Sequence, residues 1–233
     1  MKKVIVVPTY NEKKNIADLV PLLFKYVPDA YVLVVDDNSP DGTAGVVEGM
    51  QNTYKNLSIL KRAGKEGLGK AYIHAFREVL KDPSVGFVVM MDADFSHNPE
   101  YLPEMFRLAE KNDVVIGSRY IKGGFTTGWE LWRRALSRGG NIYCRSITRM
   151  PIMDCTGGFN IMRASILRKI DFDRLHLSGY AFVMELKHTL YRAGAKFAEY
   201  PIVFANRKEG ESKMSSHIIR EGVLAPWKLI LKK

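Results

Sequence analysis

Cysteine is nearly missing from this chain of 233 residues: Cys144 and Cys155 are its two, with no metal-ligand spacing between them. That excludes a disulfide scaffold or zinc ribbon and makes a reducing compartment the default. Long apolar runs are missing too. The first, residues 4–7, stops at Pro8 and is too short for a signal peptide, and no stretch approaches the roughly 18 apolar residues that a spanning helix requires. The chain is therefore expected not to cross a bilayer by itself, which leaves open lying on one. Several catalytic signatures are also lacking. No Gly-x-Gly-x-x-Gly follows the first apolar run, the glycine-rich stretch 64–70 lacks Walker A spacing, no Gly-x-Ser-x-Gly elbow occurs, and the histidines show no metal or triad spacing. Dehydrogenase, kinase and ATPase readings lose ground accordingly. Neither internal repeats nor low-complexity segments are found.

What remains is the balance of a folded protein: 46% hydrophobic, 26% charged and 11% aromatic residues, in a length that suits one domain or a domain with a small appendage. The 35 Lys and Arg outnumber the 25 Asp and Glu, so a net charge of +10 should draw anions such as nucleotides, phosphates, nucleic acid or acidic lipid.

Apolar, β-branched runs at 4–7, 31–35, 57–60, 86–91 and 114–117 alternate with helical patterns at 15–26, 41–54, 69–80 and 99–111. Runs that are apolar throughout predict strands covered on both faces, hence an α/β fold with a mostly parallel sheet sandwiched by helices. After Tyr120 the rhythm changes. A glycine-rich connection leads into an arginine-rich stretch, 129–150, expected to form one or two amphipathic helices. Helical pattern returns at 164–170 and 181–193, followed by a strand at 196–203, a polar loop at 206–216 and a mixed apolar and basic end at 218–233.

In open α/β sheets, ligands bind where strands deliver their carboxyl ends. Here those ends are polar: Pro8-Thr9-Tyr10-Asn11-Glu12, Asp36-Asp37-Asn38-Ser39, Asp92-Ala93-Asp94 and Ser118-Arg119. Any one of them could be a turn or helix cap; several converging on one sheet edge point to a site. Asp92 and Asp94 offer hard oxygen ligands to Mg²⁺ or Mn²⁺ on a diphosphate, Ser96 adds an oxygen at the next same-face position, and Arg119 adds a cation from the next strand. A nucleic-acid-binding module would explain the charge but not this carboxylate pair on a buried strand. Sugar-nucleotide synthesis would call for a glycine-rich signature near the N-terminus, which is missing.

Taken in order, VVPTYNE (6–12), VVDDNSPDGT (34–43), GLGKAY (67–72), MDADFSHNPE (91–100), GSRY (117–120), DCTGGF (154–159) and RKEGESKM (207–214) resemble inverting family 2 glycosyltransferases, most closely the branch that mannosylates dolichyl and other polyprenyl phosphates. The resemblance covers residues 1–214. It implies a Rossmann-like GT-A catalytic domain over 1–213, with 214–233 as an amphipathic tail, a GDP-mannose donor, and a dolichyl or polyprenyl phosphate acceptor. Carried over by motif, Pro8, Tyr10 and Glu12 would contact the nucleoside, and Val35 and Asp37 would complete the base and ribose pocket. Asp92, Ala93 and Asp94 would face the diphosphate, with Mg²⁺ or Mn²⁺ at Asp92, Asp94 and Ser96. The family often has Gln where this chain has Ser96, so a bridging water is expected there. Arg119, Arg207 and Lys213 would hold donor or acceptor phosphates, Arg133, Arg134 and Ser212 the acceptor phosphate, and Asp94 and Arg119 would carry catalysis. The alternative within this class is a UDP-sugar-dependent hexosyltransferase acting on undecaprenyl phosphate.

A polyprenyl phosphate has a second pKa of about 6, so it arrives as an anionic nucleophile and needs positive charge rather than a strong base. A sugar hydroxyl would need a base, for which Asp154 is the candidate. The stretch 129–150 mixes Leu131, Trp132, Leu136 and Ile142 with Arg133, Arg134, Arg138, Arg145 and Arg149, a composition suited to an anionic membrane surface. Peripheral docking at the cytoplasmic face, or a separate membrane-anchoring subunit, is expected.

Overall fold

The structure, a computed structural model, describes residues 1–177, 179–205 and 216–231. Its first half alternates as the apolar runs require: β1 (Lys2–Thr9), α1 (Lys13–Tyr26), β2 (Ala30–Asp36), α2 (Thr43–Met50), β3 (Leu57–Lys61), α3 (Leu68–Val79), β4 (Val85–Met90), α4 (Leu102–Ala109) and β5 (Val114–Ser118). The second half is less regular, with β6 (Phe125–Thr126), α5 (Leu131–Thr148), β7 (Asn160–Arg163), α6 (Ala164–Leu167), α7 (Gly179–Arg192), β8 (Phe197–Pro201), β9 (Val203–Phe204) and α8 (Ser216–Leu231).

The larger sheet has the order β3-β2-β1-β4-β7-β5-β8, and β6 pairs with β9 beside it. Every residue of β4 and β5 is buried, because helices cover both faces. One face packs on Ile16, Leu19 and Leu23 of α1, Val47 of α2 and Phe106 of α4. The other packs on Ala75 and Phe76 of α3, Leu186 and Leu190 of α7, and Ala225 and Leu229 of α8. The C-terminal helix therefore shares the main core, and the expected boundary after residue 213 lies outside the described residues, as does the whole 207–214 motif with Arg207, Ser212 and Lys213.

One strand departs from expectation. β7 runs antiparallel between β4 and β5, with Asn160 opposite both Met90 and Ile116. Asp92 and Arg119 therefore follow strands that are not neighbours. Four residues after a pair of glycines are too few to show a period, which is why the sequence pattern gives no strand there. The stretch 129–150, which admitted one or two helices, forms the single helix α5. It buries Asn141, Cys144 and Thr148 and exposes Leu131, Trp132, Leu136 and Ile142. Among the described residues no helix is long and apolar enough to cross a membrane.

Candidate active site

The carboxyl ends of β1, β2, β4 and β5 share one rim of the sheet, and because β7 runs backwards the loop that enters it, 154–159, arrives at that rim too. Non-glycine residues with positive φ mark this rim. Asn11 (59°), Asn38 (58°) and Phe95 (62°) each follow a strand end. Such backbone costs on the order of 1 kcal/mol per residue and persists where surrounding contacts fix it.

On the β1–β2 side those contacts are carboxylates. Asp36 accepts from Thr9 Oγ1 (2.9 Å), Ser39 N (2.9 Å) and Ser39 Oγ (2.6 Å), while Ser39 Oγ in turn accepts from Asn11 N (3.0 Å). Asp41 accepts from Lys13 N (3.0 Å) and so caps the start of α1. Glu12 accepts from Asn15 Nδ2 (2.6 Å), and its own N–H donates to Thr43 Oγ1 (3.1 Å). Tyr10 is exposed, with Lys65 Nζ 3.9 Å from its ring centroid. Asp37 is buried and ion-paired to Arg62, whose Nη2 also meets Glu66 (2.6 Å). Pro8 is half-buried and lies in register with Val35. The Val35 side chain belongs wholly to the core, so it supports the rim from below. Arg62 was not foreseen; its signal was a cation just past the third strand.

At the centre, the Asp94 carboxylate accepts from both Ser96 N (3.1 Å) and Ser96 Oγ (2.6 Å). Ser96 thus braces Asp94, where the sequence suggested a further metal ligand. The N–H of Asp92 donates to His97 Nδ1 (3.0 Å), which leaves the imidazole proton on Nε2. Burial pushes the His97 pKa down despite the nearby Asp92 and Asp94 carboxylates. Its ring stacks on Phe159 at 5.1 Å. Beneath lies Tyr72 of α3, wholly buried, its phenol pushed well up by burial and then by the Asp92 carboxylate.

Among the described residues no cluster of three or more His, Cys, Asp or Glu could hold a metal alone. The donor set nonetheless fits a hard cation. Mg²⁺ and Mn²⁺ sites commonly use one or two carboxylates and take their other ligands from water and substrate phosphates. A half-buried Asp92 and a buried Asp94 on one braced loop supply that pair.

The β5–β7 side is built differently. Arg119, 6% exposed, lies against Asp154, which is fully buried. Arg119 donates to Asp154 through its backbone N (3.1 Å), Nε (2.7 Å) and Nη2 (2.7 Å), and Nη2 also reaches Thr156 Oγ1 (2.8 Å). Burial alone would raise the Asp154 pKa, but the Arg119 guanidinium outweighs it and holds the carboxyl at about 2. Asp154 is therefore no base near neutrality, which corrects its candidacy. The loop tolerates this packing because residue 157 is glycine; a Cβ there would lie 3.1 Å from Asp154 Oδ1. Trp129 brings a second arginine close, its ring centroid lying 5.8 Å from Arg119 Cζ and 4.3 Å from Arg133 Cζ. Arg134 is exposed on α5.

Three supports of the 154–157 turn escaped sequence reasoning. Asn141 of α5 accepts from Cys155 N (2.7 Å) and Thr156 N (3.2 Å), Glu199 of β8 accepts from Met153 N (2.8 Å) and Asp154 N (3.0 Å), and Lys187 of α7 donates to two of its carbonyls. A lysine on the apolar face of α7 was the available signal. Cys144 and Cys155 are both buried free thiols.

The Glycosyl transferase family 2 profile matches residues 4–171. Undecaprenyl-phosphate mannosyltransferase of Micrococcus luteus is 38% identical over 96% of this chain and 92% of its own length. Polyprenol monophosphomannose synthase of Mycolicibacterium smegmatis is 35% identical over 97% of this chain and 86% of its own. Among solved structures, glucosyl-3-phosphoglycerate synthase from Mycobacterium tuberculosis with UDP superposes with a TM-score of 0.68 at 15% identity, covering 98% of this chain and 79% of that one. A mannosyltransferase from Pyrobaculum calidifontis in complex with GDP-Man and Mn²⁺ superposes with a TM-score of 0.66 at 17% identity, covering 100% of this chain and 64% of that one. These two share the GT-A fold found here. With its ordered rim motifs and relatives aligned over nearly its whole length, this chain belongs to glycosyl transferase family 2.

Proposed function

We propose that the protein transfers mannose from GDP-mannose to a dolichyl or other polyprenyl phosphate, with inversion at the anomeric carbon, while resting on a membrane surface. The observation that carries this reading is the Arg119–Asp154 pair. Its carboxylate is committed to the guanidinium and stays ionised far below neutral pH, so it is not available as a base, while the nearby Arg133 and the buried Lys187 leave this side of the rim net positive. An anionic phosphate is the acceptor that this chemistry suits, because it needs no deprotonation. The names of the two curated relatives support mannose as the sugar and a polyprenyl phosphate as the acceptor.

Tyr10, together with Glu12 and Asp37, which Asn15, Thr43 and Arg62 hold in place, orients the nucleoside. Asp92 and Asp94 would hold Mg²⁺ or Mn²⁺ against the diphosphate, where the ion neutralises charge that builds on the departing GDP. Ser96 fixes the Asp94 carboxylate, and His97, by accepting from the Asp92 backbone N–H, braces the loop that carries both. Arg119 and Arg133, both close to the Trp129 ring, bring the lipid phosphate in line with the anomeric carbon. The phosphate oxygen forms its bond to that carbon as the bond to GDP breaks, giving a β-linked product from an α-linked donor.

Membrane contact belongs to α5 and α8. Leu131, Trp132, Leu136 and Ile142 on α5, and Val223, Leu224, Trp227 and Ile230 on α8, are exposed. Trp227 Nε1 donates to Tyr143 Oη (2.8 Å) and ties the two helices together. Exposed arginines among these residues suit anionic headgroups. Both free thiols suit the cytoplasmic face. A transfer assay with purified protein, polyprenyl phosphate, Mg²⁺ or Mn²⁺, and either GDP-mannose or UDP-glucose tests the reading. Lipid-linked mannose is expected; product from UDP-glucose alone overturns it.

A further inference from the structure

We propose that Lys187 is a positioning residue for transfer: its ammonium grips the 154–157 turn by two carbonyls and, through that turn, sets the angle at which Arg119 meets the acceptor phosphate. This inference rests on the reading of Arg119 as a phosphate-binding group.

A lysine is almost never fully buried unless its charge has partners, because desolvating an ammonium is costly. Lys187 is 2% exposed, on the face of α7 that also buries Val183, Leu186 and Leu190. Its Nζ donates to the carbonyl oxygens of Asp154 (2.9 Å) and Gly157 (2.8 Å). Those two residues bound the turn, and they are also joined inside it, since Gly157 N donates to Asp154 Oδ1 (2.9 Å). The same Oδ1 receives Arg119 Nη2. A shift of the carbonyls would therefore move the carboxylate, and with it the guanidinium.

The other supports do a different job. Asn141 and Glu199 accept from amides of the turn, whereas Lys187 supplies donors to its carbonyls, with Asn160 Nδ2 adding a neutral bond to Gly157 O (3.1 Å). Lys187 brings the positive charge to this cage. A carbonyl pair facing an ammonium is held by charge-assisted bonds, which are shorter and roughly twice as strong as neutral ones.

The charge is also titratable within ordinary buffers. Burial lowers the Lys187 pKa to about 8, opposed chiefly by the Asp154 carboxylate. The groups facing it are Arg119 beyond β5, Asp154 and Cys155 in the turn, Cys144 of α5 and Glu199 of β8. As pH rises past this value the ammonium becomes an amine and its grip on both carbonyls weakens.

The test compares full-length wild type with Lys187→Met and Arg119→Ala, using GDP-mannose and polyprenyl phosphate in detergent micelles. For Lys187→Met, KM for the lipid phosphate should rise about tenfold or more, the scale of a small misplacement of a catalytic group. Calorimetric binding of GDP should stay unchanged, because the nucleoside contacts lie across the rim. In wild type, kcat/KM for the lipid phosphate should fall as pH passes about 8, and that limb should vanish in Lys187→Met. A folded Lys187→Met with wild-type KM, or one that keeps the alkaline limb, overturns the proposal. Should Lys187→Met fail to fold, the wild-type profile decides: a flat kcat/KM between about pH 7 and 9.5 overturns it. If Arg119→Ala transfers normally, the underlying reading of Arg119 fails; if only Arg119→Ala impairs lipid use, the Lys187 inference alone fails.

Discussion

The proposed donor and acceptor sides of the rim are built by different means. On the donor side, carboxylates after β2 bind hydroxyls and amides of their own loop and of the neighbouring end of β1, as Asp36 does with Ser39 and Thr9 and Asp41 with Lys13. On the acceptor side, the working arginine lies against a carboxylate 35 positions further along the chain, in a turn held by α5, α7 and β8. Bonds between the ends of adjacent parallel strands tie the β1 and β2 loops into one cradle. Assembly from distant elements yields a buried charge network in which every member depends on the others.

The most damaging change should come at the boundary between the sides. Asp94→Ala removes one of two carboxylates available to a divalent ion, and transfer should drop about 10³-fold or more while circular dichroism stays native; turnover near normal would separate the metal site from this loop. Asp154→Asn should strike stability hardest. It leaves the Arg119 guanidinium buried without its counter-charge, a loss of about 3–5 kcal/mol by analogy with broken buried pairs, read as a lower melting temperature.

Acid titration sharpens that contrast. The folded Asp154 pKa of about 2 lies below its ordinary value of 3.8. The carboxylate's contribution is therefore fully present above the ordinary value and fades as pH falls through about 2. Asp154→Asn should lose that segment of the acid-unfolding curve; identical curves would show that the pair contributes nothing.

On the donor side, Arg62→Met frees Asp37 from its ion pair. KM for GDP-mannose should increase about tenfold, the worth of one charge-assisted bond, with KM for the lipid phosphate unchanged. Equal changes in both would mean that the two sides are not separable. The mildest effect is expected from Trp132→Ser on exposed α5. Flotation with anionic vesicles should weaken several-fold, about 1–2 kcal/mol of lost apolar burial, with melting temperature and activity in detergent retained.

Much of the donor side was legible in the sequence, because its residues directly follow the apolar runs that form β1, β2 and β4. Periodicity located the runs, and the polar residues after them named the rim. The acceptor side was less so. Arg119 was visible as a cation after β5, but its pairing with Asp154 depends on β7, whose four residues carry no readable period. For a hydroxyl acceptor Asp154 looked like a base; only its burial against Arg119 shows a structural anion. Lys187, Asn141 and Glu199 converge on one turn from three elements, and no spacing along the chain encodes that meeting. Ser96 shows the reverse case: its position was read correctly, but its hydroxyl turns toward Asp94.

The protein's three tryptophans are Trp129, Trp132 and Trp227. One lies close to both Arg119 and Arg133 and the others stand exposed on α5 and α8, whereas α1, α2, β1 and β2 have none. Intrinsic emission thus reports, without any label, on the region proposed to meet lipid, and a blue shift on mixing with liposomes would follow docking in real time.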